Sequence, residues 1–190
     1  MGLPTHTRNV EYKPLLSNPT NTSITIETHS PEQTQALGLR LGQAAMPNDL
    51  FLLVGELGTG KTCLTQGIAR GLDIDSHVRS PTFVLATEHR GRLMLYHIDL
   101  YRIDQLNEVQ DLGLDEYIEG GGVCVVEWAD KAIPVFPAEH LRIELEHTGD
   151  ESRGLTFTAH GDRYAQLIKT FSKSIGMPGS SNLHRRVQGT

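Results

Sequence analysis

The chain has 190 residues, a formal net charge of −6 and two cysteines. A single domain of this length buries about 70% of its unfolded surface without staples. Cys63 and Cys124 lie far apart among apolar neighbours, which argues against a disulfide framework or a zinc-type ligand spacing. No apolar run approaches a membrane span and no secretion-signal pattern opens the chain, so a reducing, cytoplasmic setting is expected.

The charge is uneven. Residues 161–190 carry five Lys/Arg and one Asp, which leaves −10 on residues 1–160. Affinity for a polyanion comes largely from phosphate neutralisation, so so acidic a body is a poor independent binder of nucleic acid. Any RNA is expected to be held by other proteins.

Residues 1–22 hold scattered Pro, Thr and Asn with no apolar period and read as a mobile extension. Residues 23–28, Ser-Ile-Thr-Ile-Glu-Thr, alternate as a half-buried edge strand does. A helix is expected next: Ser30 can cap it, Pro31 suits its first position, and Gln33 stands where a capping-box partner belongs. Leu37, Leu41, Ala44 and Ala45 form its apolar stripe.

Leu50–Val54 is an unbroken apolar run, as a strand buried on both faces of a parallel sheet requires. It leads into Gly55-Glu56-Leu57-Gly58-Thr59-Gly60-Lys61-Thr62, which fits G-x-x-x-x-G-K-[ST] at every fixed position. Phosphate oxygens must be met by several backbone N–H groups at once, and glycines let the backbone close around them. The helix beginning near Gly60 and carrying Cys63, Leu64 and Ile68 aims its free N–H groups at the same place. Lys61 then supplies a full charge to the β/γ oxygens, and Thr62 a hydroxyl for Mg²⁺. Gly71 is placed to end that helix.

Ser80-Pro81-Thr82-Phe83 presents Thr82 from a proline-constrained bend. Residues 83–88 and 92–99 read as a hairpin closed by His89-Arg90-Gly91, which makes the sheet mixed. On the second strand His97 and Asp99 share a face. Asp99 reads either as a metal or water ligand or as a cap or turn residue, Arg102 as a phosphate contact or an ion-pair partner, and His97 as a packed, hydrogen-bonded histidine. Short helices are expected over 103–109 and 112–118, then a turn at Gly120–Gly122. Val123–Val126 is a second fully apolar strand, and it ends in Glu127. Four apolar residues before an acid have the form of a second Mg²⁺-binding motif, although any buried strand that exits to solvent can end so. Trp128 can pack locally, stack on a ligand or anchor a partner. Residues 141–146 and 154–159 alternate as closing antiparallel strands, 164–171 suit a short helix, and disorder is expected from Ser172.

The phosphate loop, Ser80-Pro81-Thr82-Phe83, His97-Ile98-Asp99-Leu100-Tyr101-Arg102 and Val126-Glu127-Trp128 occur in one order, and as a set they resemble the TsaE (YjeE) family of small bacterial ATPases of tRNA threonylcarbamoyladenosine biosynthesis. The resemblance covers residues 23–160 and implies an α/β, three-layer P-loop NTPase fold with a mixed, mainly parallel central sheet and an antiparallel hairpin. Residues 1–22 and 161–190 would flank the ATPase domain as extension and as short helix with basic tail. The resemblance further implies that ATP or ADP is held by residues 55–62 with Cys63, and Mg²⁺ by Thr62 and Glu127. Thr82 is then a switch threonine that senses the γ-phosphate, and Asp99 takes part in hydrolysis with Glu127. Trp128 stands beside the nucleotide, and Gln33 or Thr34 near the adenine. TsaD-like and TsaB-like partners follow from the resemblance, with tRNA reached through them and repeated cycles supported by ATP hydrolysis.

Two other enzymes share a phosphate loop. A small-molecule kinase needs an arginine-bearing lid, for which Arg90-Gly91-Arg92 is the candidate. A regulatory GTPase needs N-K-x-D and D-x-x-G, and neither follows here. The non-enzymatic reading is a nucleotide-gated binding module.

Overall fold

A computed structural model describes residues 22–176. In chain order these form β1 (Ser23–Thr28), α1 (Pro31–Ala44), β2 (Leu50–Val54), α2 (Lys61–Gly71), β3 (Ala86–Arg90), β4 (Met94–Asp99), α3 (Leu106–Asp111), α4 (Leu114–Ile118), β5 (Val123–Glu127), a 3₁₀ stretch (Ala129–Val135), β6 (His140–His147), β7 (Arg153–His160) and α5 (Asp162–Ser174). Residues 1–21 of the expected extension, and the part of the basic tail from residue 177 on, lie outside the described residues.

The seven strands make one sheet in the order β1-β7-β6-β2-β5-β4-β3. Its three central pairings, β6 with β2, β2 with β5 and β5 with β4, are parallel. The three outer pairings are antiparallel. The mixed sheet is as expected, with the parallel part confined to the centre. Chemistry explains the division: β2 and β5 are apolar at nearly every position because both their faces are covered, whereas β1 alternates exposed and part-buried residues along the edge.

Alternation along the central strands builds two cores, one on each side of the sheet. Phe51, Leu53, Leu95, Val123 and Val125 face α1, α2 and α5. Leu50, Leu52, Ile98, Cys124 and Val126 face α3, α4 and the 3₁₀ stretch. The molecule is therefore three-layered. Burial pushes the Cys124 thiol up to about 12, consistent with an inert packing role.

α1 begins where its sequence says it should. Ser30 Oγ accepts from Gln33 N at 3.3 Å, and the Gln33 side chain accepts from His29 N at 2.8 Å, one residue before the cap itself. α1 lies against α2 backbone to backbone. A Cβ at Gly38 would stand 2.3 Å from Leu64 O, and at Gly42, Gly67 and Gly71 it would stand 2.2 Å from the carbonyl oxygens of Ile68, Gln35 and Leu39.

Several elements differ from the expected bounds: the helix expected over 103–109 runs Leu106–Asp111, the second hairpin strand starts at Met94, and two further differences bear on the site and the core. The first hairpin strand starts at Ala86, because Thr82–Leu85 form a turn in which Leu85 takes φ +65°. α5 runs to Ser174 instead of stopping at Phe171, and Ser172 is buried and donates to Ile168 O at 2.7 Å, so disorder does not begin there. α5 packs Tyr164, Leu167, Ile168 and Phe171 into the first core. Arg163 pairs with buried Asp49 at 2.5 Å, and the Tyr164 hydroxyl accepts from Leu50 N at 2.8 Å. Among the described residues no helix is long and apolar enough to cross a membrane.

Candidate active site

β2, β5 and β4 run parallel, so their carboxyl ends lie side by side, the usual place for a ligand in an open α/β sheet. The Gly55–Thr62 loop leaves the first of these ends and turns directly into α2. Gly55 takes φ +149°, and a Cβ there would meet Leu145 O at 2.3 Å, so the loop admits no other residue at its base. Gly58 and Gly60 also have positive φ, at +79° and +99°. Buried Thr59 closes the loop by donating to Glu56 O at 2.8 Å, and Leu57 stands exposed at the tip.

The Lys61 ammonium is folded back into this loop. It donates to Gly55 O at 2.6 Å and Glu56 O at 2.8 Å, and it lies 3.8 Å from the centroid of the Trp128 ring. Trp128 reaches it because the residue takes a left-handed backbone, φ +60°, just after β5, which turns the chain sharply at the strand end. Its ring also packs on Tyr101, with centroids 4.9 Å apart. Burial lowers the Lys61 pKa from the ordinary lysine value, and the charges of Glu127, Asp130, Asp99 and Glu56 oppose that shift.

Strand alternation delivers the acids to the same spot. Val123, Val125 and Glu127 share the face of β5 turned towards α2, and on β4 Leu95, His97 and Asp99 do the same. Asp99 and Glu127 are direct neighbours in the β4–β5 register, and both are buried. Glu127 Oε2 accepts from Thr62 Oγ1 at 2.9 Å, while Oε1 lies 2.7 Å from His97 Nε2. Asp99 Oδ2 accepts from Thr82 Oγ1 at 2.7 Å and from Ser80 Oγ, and Oδ1 from Tyr101 N at 2.8 Å. The turn carrying Thr82 is held against β4 by Asp99 N donating to Leu85 O at 3.0 Å. Phe83 and Val84, at the crest of that turn, are exposed, and the Arg102 guanidinium lies 5.4 Å above the Phe83 ring.

Among the described residues no group of three or more His, Cys, Asp or Glu is placed to hold a metal ion alone. Thr62 Oγ1 and Glu127 Oε2 offer one hydroxyl and one carboxylate oxygen, already adjacent. That hard, sparse donor set fits Mg²⁺, which takes its remaining ligands from phosphate and water, better than it fits an ion that needs a full protein cage.

On the other side of the loop is a cleft of about 240 Å³ lined by Pro31, Thr34, Gly58, Gly60, Cys63, Asp150, Glu151 and Arg153. Thr34 and Cys63 thus face the loop from α1 and α2. The Thr34 hydroxyl bonds to that of Thr28 at 2.8 Å, so it is the rest of its side chain that borders the cleft. Burial raises the Cys63 thiol pKa, which disfavours a nucleophilic role.

The residues singled out from sequence therefore fall in one neighbourhood. Gly55, Glu56, Leu57, Gly58, Thr59, Gly60, Lys61 and Thr62 make the loop. Asp99, Glu127, Thr82 and Trp128 border it on one side, and Thr34 and Cys63 on the other. Sequence reasoning missed Arg153, which donates to Gly58 O at 3.4 Å across 95 residues of chain. It missed Ser80 and Thr65 as well. Ser80 lies two residues before Thr82 and Thr65 lies one helical turn after Lys61 on α2, so spacing was their available signal; Arg153 had none.

A family model described as "Threonylcarbamoyl adenosine biosynthesis protein TsaE" matches residues 28–155. A tRNA threonylcarbamoyladenosine biosynthesis protein TsaE from Bacillus subtilis is 46% identical over 147 residues, spanning 77% of this chain and 92% of its own. The protein of that name from Treponema pallidum is 36% identical, spanning 68% of this chain and 96% of its own. Among solved structures, the crystal structure of YdiB from Bacillus subtilis superposes with a TM-score of 0.73 at 39% identity, covering 82% of this chain and 98% of that one. With the family model matching well over half of its residues and relatives this similar over most of their length, the chain belongs to the TsaE family.

Proposed function

We propose that this protein is the Mg²⁺-dependent ATPase of the tRNA threonylcarbamoyladenosine machinery, working in the cytoplasm with TsaD-like and TsaB-like proteins to support multiple turnover. A role in threonylcarbamoyladenosine biosynthesis follows from family membership. The observation that supports the ATPase reading is the convergence of Lys61, Thr62, Glu127, Asp99 and Thr82 at the carboxyl ends of three adjacent parallel strands.

In this reading residues 55–63 cradle the phosphates of ATP or ADP, with Lys61 exchanging its bonds to the loop carbonyls for phosphate oxygens. Thr62 and Glu127 hold Mg²⁺, which when bound neutralises charge that develops on the transferred phosphoryl group. Asp99 orients the attacking water and holds Thr82, which senses the γ-phosphate. Trp128 packs beside the nucleotide, and Thr34 borders the base side of the cleft. tRNA is engaged through the partner proteins, since the −10 charge of residues 1–160 disfavours direct binding.

The isolated protein is expected to hydrolyse ATP poorly. An arginine placed on the γ-phosphoryl group is worth roughly 10³ to 10⁵ in rate in phosphate-loop enzymes, yet Arg102 lies over Phe83 and Arg153 on loop carbonyls. Steady-state hydrolysis measured alone, with each partner, and with both plus tRNA decides the point. A high rate in isolation, unchanged by the partners, would count against the proposal.

A further inference from the structure

His97 has no role in the ATPase reading, and its surroundings are unusual for a packing residue. It lies on the α2-facing side of β4, between Leu95 and Asp99, and is fully buried. Nε2 is 2.7 Å from Glu127 Oε1, whereas Nδ1 is buried with no hydrogen-bond partner. An apolar side chain of similar bulk would fill the same space without stranding a ring nitrogen. What the imidazole adds is the bond to Glu127.

That bond divides the labour of the two carboxylate oxygens. Oε1 is turned inward, to His97, and Oε2 is left to meet Thr62 Oγ1 at 2.9 Å. The other group near Oε1 is the Thr65 hydroxyl, at 3.3 Å, but it lies closer to Lys61 O, at 3.0 Å, and has one proton to give. His97 is the shorter contact to Oε1, and its ring is held by the strand on which it sits. A glutamate has three side-chain torsions, and without that anchor the carboxylate is free to rotate Oε2 away from Thr62.

We propose that His97 is a positioning residue for Glu127: it fixes the carboxylate so that Oε2 faces Thr62, and thereby sets how tightly a divalent cation is held between those two side chains. The proposal rests on the reading of Thr62 and Glu127 as Mg²⁺ ligands given above. His97 lies behind Glu127 and acts through it, as the hydrogen-bond partners of metal ligands do.

The experiment is calorimetric titration of the full-length protein with the non-hydrolysable ATP analogue AMPPNP, in EDTA and across a series of MgCl₂ concentrations. The variants are His97→Leu, His97→Gln and Glu127→Ala; glutamine carries an amide N–H to about the position of Nε2. Losing such a partner typically weakens metal affinity ~10–100-fold. His97→Leu should therefore need at least about tenfold more MgCl₂ to reach a given nucleotide affinity, match the wild type in EDTA, and be largely rescued by glutamine. An unchanged MgCl₂ midpoint in His97→Leu overturns the proposal. So does an equal loss of affinity in EDTA and in MgCl₂, the mark of a purely structural role. Glu127→Ala separates the two readings: if it leaves the MgCl₂ dependence unaltered, the metal assignment fails and positioning with it, whereas a shift in Glu127→Ala without one in His97→Leu removes positioning alone. Should His97→Leu not fold, His97→Asn takes its place, since its amide is too short to reach Oε1 and the same loss is expected.

Discussion

Lys61 is pulled two ways. Burial favours its neutral form, while Glu127, Asp130, Asp99 and Glu56 favour the ammonium. The carbonyls of Gly55 and Glu56 hold that ammonium inside the loop. Replacing it with alanine should lower nucleotide affinity by about 10–100-fold, the size of a lost charge-assisted hydrogen bond, equally with and without Mg²⁺. Binding isotherms in EDTA and in MgCl₂ check this. Thr82→Ala and Asp99→Ala should instead retain ADP affinity and lose about 10²-fold or more in hydrolysis, because ADP lacks the group on which both are proposed to act. ADP titration beside steady-state rates in the partner complex separates the two effects, and normal hydrolysis by either variant would remove it from the mechanism. The loop and its lysine were legible in the sequence because every fixed position is consecutive and each glycine has a steric reason. The pairing of Glu127 with His97 and the meeting of Asp99 with Thr82 were not, since they depend on the β4–β5 register and on a turn that sequence alone extended as strand.

Among the elements, α1 and α2 are the pair whose spacing matters most to the cleft, since Thr34 on one and Cys63 on the other line it. Four glycines set that spacing, Gly38 and Gly42 within α1 and Gly67 and Gly71 within α2. Gly67→Ala would place a Cβ 2.2 Å from Gln35 O, a backbone atom that moves only if α1 moves. Overpacking of this kind costs about 1–3 kcal/mol, and urea unfolding should report it together with weaker nucleotide binding. Gly113→Ala is the control: its φ is +62° but nothing lies within 4 Å, so the left-handed backbone alone should cost about 1–2 kcal/mol and leave binding untouched. The helices themselves could be read from caps and apolar stripes. Their contact could not, because Gly71 reads equally as a helix stop, and only the facing carbonyl shows why Cβ is excluded.

For the whole molecule, α5 extends the packed body past the last strand. Tyr164 accepts from the first backbone N–H of β2, the strand that carries the phosphate loop, and Arg163 pairs with Asp49 just before it. Burial, foremost, pushes the Tyr164 hydroxyl up from 10.0 to about 12. A folded-state value above the unfolded one means that this contribution to stability is complete below pH 10 and is lost as pH rises towards 12. Tyr164→Phe strands the Leu50 N–H and should cost about 1–3 kcal/mol at neutral pH. Urea unfolding of both proteins from pH 8 to pH 11 should show that deficit narrowing on the alkaline side, as the wild type loses the tyrosine's share. A gap independent of pH would mean that the hydroxyl is not buried as described. The sheet's mixed character was foreseeable from hydrophobic runs at its centre and alternating strands at its edges. The anchoring role of α5 was not, because a short amphipathic helix near a basic tail carries no sign of which strand it will hold.

Trp128 is the single tryptophan of the chain, and its ring lies against the ammonium of Lys61 and the ring of Tyr101. Indole emission from this protein therefore arises from one chromophore touching the phosphate-loop lysine. Anything that draws the lysine off the ring alters the field on its excited state, so the molecule carries an intrinsic optical reporter, with no label needed and no second indole to dilute the signal.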